Sequence, residues 1–187
     1  MIHVIFDKNV VKILTLISLS PGSRFRRNEI KEKTKINNIP LDNALLKLIK
    51  SKVLKKENNF YSLNFGNEIS NQILKIISNY YVYLKKIPLN IYFLSLDIIS
   101  ELKLFKNCEL YLFGSYSKLI YKDTSDVDFA VLITKNFKKN ILNKLIRKLE
   151  NKYQKHIELH FFEKNKFYRN KRDPLVKDII KNGIKLF

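Results

Sequence analysis

This sequence predicts an α+β protein: an N-terminal module of helices closed by a hairpin, a helical connector, and a small C-terminal module built on a mixed sheet. Three observations carry the prediction. Leu41, Ala44, Leu45, Leu48 and Ile49 form a helical stripe, followed by two strand-like runs, 53–56 and 60–65, across Glu57-Asn58-Asn59. The stretch YLFGSYSKLIYKDTSDVDFAVLI sets two apolar runs, Leu110 to Phe113 and Val127 to Ile133, around a Gly-Ser step and an Asp-x-Asp. Finally, His156 to Phe162 alternates polar and apolar residues behind a helix-spaced run, Asn140 to Tyr153, the pattern of a crossover between parallel strands.

The elements follow in order. Val10, Ile13, Leu14 and Ile17 mark a first helix over Asn9 to Leu19, stopped by Ser20-Pro21-Gly22. A short basic helix, Arg26 to Lys35, has Ile30 as its main apolar position. The third helix opens with Pro40 near its start, where a missing N–H costs nothing. From Asn67 to Phe105 two apolar, tyrosine-rich helices are split at Pro88; Tyr80, Tyr81, Tyr83, Tyr92 and Phe93 are read as core or dimer packing, which leaves room for a homodimer, rather than as a stacking surface for bases. After the C-terminal strands, a helix over Leu175 to Lys181 leads to a turn at Asn182-Gly183 and a short edge strand. The expected divisions are 1–66, 67–105 and 106–187, with a boundary near Lys106.

The chemistry concentrates in one segment. A strand repeats its side-chain direction every two residues, so Asp126 and Asp128 share a face while Val127 and Phe129 point into a core. Two converging carboxylates repel unless a cation lies between them, and hard oxygen ligands suit Mg²⁺. Gly114 lets the backbone approach a ligand closely, and a helix starting at Ser115 would aim free N–H groups at a phosphate. Tyr116 and Lys118 are further phosphate-contact candidates, although exposure on a helix is the simpler account of both.

At these residues, GSYSKLIYKDTSDVDF, the chain resembles the minimal members of the nucleotidyltransferase superfamily of the DNA polymerase β type. The resemblance covers roughly the last 80 residues, from Cys108 to Phe187. Minimal members commonly place a basic residue and a glycine after the Gly-Ser-Tyr; this chain has Lys118 and then Leu119. The resemblance implies two Mg²⁺ ions, an NTP substrate that is most often ATP, and a third carboxylate on a neighbouring strand. Glu158 is the candidate, on the same face as His160, with Glu163 a solvated rival beyond the apolar run. His160 itself is read as satisfying a strand-end hydrogen bond. Asp126, Asp128 and Glu158 would thus be both metal ligands and catalytic residues, and Gly114, Ser115, Tyr116 and Lys118 the nucleotide site. The resemblance further implies an antitoxin-like role, attaching AMP to a tyrosine of a partner toxin ribonuclease. A small-molecule acceptor fits less well, because relatives of that kind carry a further helical domain.

The order of three helices and a hairpin in the first 66 residues resembles a winged helix-turn-helix domain. These residues hold 13 Lys and Arg against 5 Asp and Glu. Arg24, Arg26 and Arg27 are candidates for phosphate contacts, and Asn43 and Lys47, with Asn37, Asn38 and Asp42, for base edges. The alternative to the enzyme is therefore a DNA-binding regulator whose second domain senses nucleotide or is inert.

Composition sets the limits. With 187 residues, 45% of them hydrophobic, the chain can bury real cores. A net charge of +19 calls for an anionic partner, or reflects a lysine-rich, asparagine-rich and isoleucine-rich coding bias. Cys108 is the single cysteine, which excludes an intrachain disulfide and a cysteine zinc framework and reads as an inert buried thiol. No apolar run reaches membrane-spanning length and no signal-peptide pattern opens the chain, so a cytoplasmic protein is expected.

Overall fold

The structure is a computed structural model, and it describes residues 6–84, 86–102, 105, 108–134 and 140–186. The expected boundary at Lys106 lies outside these residues. The chain forms two compact units, residues 1–86 and 87–187. The helix pair expected to act as a connector is divided between them at Pro88, so that each helix belongs to a different unit.

In the first unit, helices α1 (Lys8–Ser18), α2 (Arg27–Thr34) and α3 (Asn38–Lys50) precede the hairpin of β2 (Leu54–Glu57) and β3 (Phe60–Leu63), and α4 (Glu68–Tyr83) follows. Leu41, Ala44, Leu45 and Leu48 are buried as the stripe on α3 requires, while Ile49 is half-buried. Asn58 makes the hairpin turn in the left-handed region (φ 53), which asparagine tolerates better than most residues. A two-residue strand, β1 (Phe25–Arg26), pairs with β3 and completes a sheet of order β1-β3-β2. Sequence periodicity placed Arg26 at the start of a helix; instead it pairs with Phe60, and its N–H donates to Glu29 Oε2 at 2.6 Å, starting α2 one residue later. Helix α4 packs on α1, with Ser70, Ile77 and Tyr81 buried.

The second unit begins with α5 (Leu89–Leu102), in which Tyr92 and Phe93 are fully buried. Strands β4 (Glu109–Phe113), β5 (Val127–Ile133), β6 (Ile157–Glu163) and β7 (Ile184–Lys185) form a mixed sheet of order β6-β5-β4-β7. Only β5 and β6 are parallel, joined by the crossover helix α7 (Asn140–Tyr153). Asp97 of α5 accepts hydrogen bonds from Lys152 Nζ (2.8 Å) and Tyr153 Oη (2.7 Å), which fastens α5 to α7. One face of the sheet, bearing Phe113, Ala130 and Leu132, is covered by Phe167 of α8 (Lys164–Arg169) and by Val176 and Ile179 of α9 (Pro174–Asn182). Cys108 is buried, and burial pushes its thiol up to about 11, as befits an inert core residue.

Glu109 ties the ends of this unit together. Its carboxylate receives Lys164 at 2.5 Å, Lys185 at 2.8 Å and the Tyr168 hydroxyl at 2.6 Å, joining β4 to α8 and β7. Burial alone would raise its pKa, but the hydrogen bonds from Lys164, Lys185 and Tyr168 carry it down to about 2. A folded value below the ordinary 4.5 contributes stability that is present above that value and lost as pH falls toward 2. Glu109→Gln is therefore expected to destabilise the protein by about 2 kcal/mol at pH 7. The deficit should shrink in melts at pH 3; a constant deficit across pH would refute the electrostatic account.

Candidate active site

The turn after β4 makes the site. Gly114 opens the short helix α6 (Gly114–Lys118) at φ +70, and a Cβ built there would lie 2.2 Å from Asp128 Oδ2. The position thus needs glycine twice, for its backbone angle and for the carboxylate lying against it. The register Phe113↔Asp128 brings the two together across the β4–β5 pair, and Ser117 Oγ donates to the Gly114 carbonyl at 3.1 Å to hold the turn.

On the other side of Asp128 the parallel register pairs it with Glu158. Strand periodicity then sets His160 on the same face, where its ring meets Phe113 edge-on at 5.2 Å and its Nε2 lies 3.5 Å from Glu158. Single donor atoms of Asp128, Glu158 and His160 all lie within 4.8 Å of one another. The start of β6 is held by Glu150, whose Oε1 accepts from the Ile157 N–H at 3.0 Å and from His156 Nδ1 at 2.7 Å. Val127 N–H donates to the His156 carbonyl at 2.9 Å, locking the same register.

The electrostatics of Asp128 follow from its burial and its charged neighbours. Burial raises its pKa first, then the charge of Glu158; His160 offsets part of this and Asp126 adds to it. A half-buried carboxylate repelled by two others fits a divalent cation, and the carboxylate oxygens of Asp128 and Glu158 are suitable ligands. Asp126 sits one residue before β5, exposed and outside the 4.8 Å cluster, where no ladder fixes its side chain.

The other nominated residues have different surroundings. Ser115 is half-buried beside Gly114. Tyr116, expected to be exposed, is 1% exposed: it stacks on Tyr121 at 4.7 Å and packs the loop that leads to Asp126. Lys118 forms a 2.9 Å ion pair with Asp178 of α9. Leu119 takes the left-handed conformation (φ 59), a strain of about 1 kcal/mol for a residue with a Cβ. Leu119, Ile120 and Tyr121 are 49, 70 and 39% exposed, an apolar lip directly after the glycine turn. Glu163 stands at the far end of β6, paired with Lys166 at 3.2 Å, and joins no carboxylate of the site. His160, read from the sequence as satisfying a strand-end hydrogen bond, instead stands beside Glu158 in the cluster, on the face that their two-residue spacing implies.

In the first unit, Arg27 is committed to Asp42 through two hydrogen bonds of 2.6 and 2.8 Å, which join α2 to α3. Arg24 approaches Glu57 at 3.9 Å and Lys47 approaches Asp7 at 4.0 Å; Asn43 is exposed on α3. Arg26 lies over the Phe60 ring and Lys56 over Tyr61, at 5.2 and 5.5 Å, along a groove of about 740 Å³ that also includes Asn58 and Asn59. Among the described residues no helix is long and apolar enough to cross a membrane.

Comparison with known proteins places these observations. Residues 96–186 match the family model described as "Nucleotidyltransferase domain", a span that runs from within α5 to β7 and contains the whole carboxylate cluster. Among solved structures, the chain is similar to one described as "Crystal structure of the toxin-antitoxin with AMP-PNP", with 25% identity and a TM-score of 0.38 over 50% of this chain and 72% of that one. No curated protein matches the chain. The domain match, with a carboxylate pair able to hold a divalent cation, supports nucleotidyl transfer as the general chemistry of the second unit.

Proposed function

We propose that the second unit is a Mg²⁺-dependent nucleotidyltransferase that moves AMP from ATP to a hydroxyl on a partner protein, in the manner of an antitoxin that modifies a toxin ribonuclease. The observation that carries this reading is Asp128, set against the Cβ-less Gly114 on one side and in register with Glu158 on the other. Asp128 and Glu158 would hold the metal, with Asp126 turning in from the loop as a third ligand. Bound magnesium supplies charge neutralisation at the phosphates. Gly114 and Ser115 hold the β- and γ-phosphates through the backbone of the turn. Glu158 orients the acceptor hydroxyl and takes its proton; the oxygen forms a bond to the α-phosphorus in line with the departing pyrophosphate, whose P–O bond breaks.

A protein acceptor is supported by the open setting of the site. The apolar lip of Leu119, Ile120 and Tyr121 gives a macromolecular acceptor something to rest on, whereas a small acceptor would need enclosing walls. The test is incubation of the full chain with α-labelled ATP, Mg²⁺ and the product of the neighbouring gene. The expected result is one AMP on a tyrosine of that product. Label on neither protein, with ATP and Mg²⁺ bound, would reject protein adenylylation.

The basic, aromatic groove of the first unit favours a second reading, that a winged helix-turn-helix at residues 1–66 binds DNA and the chain acts as a regulator. Arg26 and Lys56 are its candidate phosphate contacts; Arg27 is held by Asp42. Duplex binding should weaken steeply as salt rises, and Arg26→Ala with Lys56→Ala should flatten that dependence by about two charges. Absence of duplex binding at low salt would leave the groove without this role.

A further inference from the structure

Helix α4 carries two apolar stripes where packing on one side needs a single one. Ser70, Ile77 and Tyr81 are buried, and the helix packs on α1. A second stripe comprises Ile69, Ile73, Ile76, Tyr80 and Tyr83, at steps of four, three, four and three residues. Ile69, Ile76 and Tyr83 are 59, 53 and 74% exposed, and Ile73 and Tyr80 are half-buried. A strict alternation of four and three is the spacing of a seam between two helices that cross at a shallow left-handed angle.

The flanks of the seam say what fits it. Gln72 and Asn79 border its open side, exposed and uncharged, while Ser70 and Ile77 on the other side are buried within the subunit. Lys and Arg make up 36 of the 187 residues, yet neither stands at these two exposed positions. A helix made to receive an acidic partner would carry lysines there, because residues bordering a seam select the partner by charge. Two copies of a chain with net charge +19 repel, and a neutral border keeps that repulsion away from the contact. The same stripe on both copies is self-complementary, as a two-fold contact requires. Since α4 is already fixed by its α1 face, pairing does not have to supply the cost of folding it.

We propose that α4 is the dimerisation helix of this protein, joined to α4 of a second copy through the stripe from Ile69 to Tyr83. The contact is independent of the catalytic reading. Sedimentation equilibrium of the full chain at tens of micromolar should give a dimer. Ile76→Glu, at the midpoint of the stripe, puts a charge into the seam in either helix orientation and should raise the dissociation constant at least about 100-fold. Ile69→Glu, in the first turn of α4 where an acidic side chain is tolerated, should weaken the dimer with the thermal unfolding of the subunit preserved. A wild-type chain that stays monomeric at about 100 µM overturns the proposal. So does a dimer that persists unchanged in both folded variants.

Discussion

Asp128→Asn is expected to abolish nucleotidyl transfer and, at the same time, to stabilise the metal-free protein. The two effects share one cause. Asp128 is charged in a half-buried position, where burial, Glu158 and Asp126 all raise its pKa and His160 offsets only part. A carboxyl whose folded value lies above its unfolded value favours the fold when protonated; that contribution is lost as pH rises through the folded value. At pH 7 the charge is therefore a cost, and asparagine removes it for a gain of less than about 1 kcal/mol, because solvent screens a half-exposed carboxylate. Melting at pH 7 without metal should show the increase, and it should fade when pH falls below the ordinary 3.8 of aspartate. In the wild type, Mg²⁺ with ATP should raise the melting temperature, and in the variant it should not. Transfer should fall by at least about 10³-fold, since a charged metal ligand is lost. Equal stabilisation of both proteins by Mg²⁺ and ATP would remove Asp128 from the metal site.

Gly114→Ala should separate folding from function in the other direction. The added Cβ meets Asp128 Oδ2 at 2.2 Å, too close for any real contact, and it is attached to a backbone at φ +70. Asp128 must swing away or the β4–α6 turn must open. A loss of about 2 kcal/mol is expected from strain and displaced contacts together. Transfer should drop by about 10²-fold, because a shift of roughly 1 Å in a positioned group costs that much. The readout is a titration with Mn²⁺ or Mg²⁺ followed by thermal shift on the folded variant: affinity for the metal should fall along with activity. A variant with wild-type turnover would show that the contact between Gly114 and Asp128 does not matter to the site.

Much of the second unit was legible because its signals are local. The Gly-Ser turn lies between two apolar strands, and Glu158 shows itself by alternation within a single strand. What escaped depends on contacts between distant segments. Lys118 finds Asp178 on another helix, and Arg27 finds Asp42 across a turn; local pattern says nothing of either pair. Tyr116 lies in a helix of five residues, too short to display a period, and its burial comes from Tyr121 in the following loop. Strand β1 has two residues and owes its existence to β3. Pro88 marked the break between α4 and α5, but which unit each helix joins is decided by packing: α4 has a face for α1, and α5 has Asp97 for α7.

Glu158 reaches Asp128 by strand register, with Glu150 bonded to the first residue of β6 as the fixed point of the count. The site is therefore sensitive to chain length as well as to residue identity. A one-residue slip of β6 against β5 turns the carboxylate to the opposite face of the sheet, while every proposed catalytic side chain remains encoded. A two-residue slip restores the face but leaves Asp128 opposite a different partner. Substitutions along the exposed side of α7 leave that count untouched. The proposed activity thus rests on a strand register that tolerates changes of letter and almost no change of alignment.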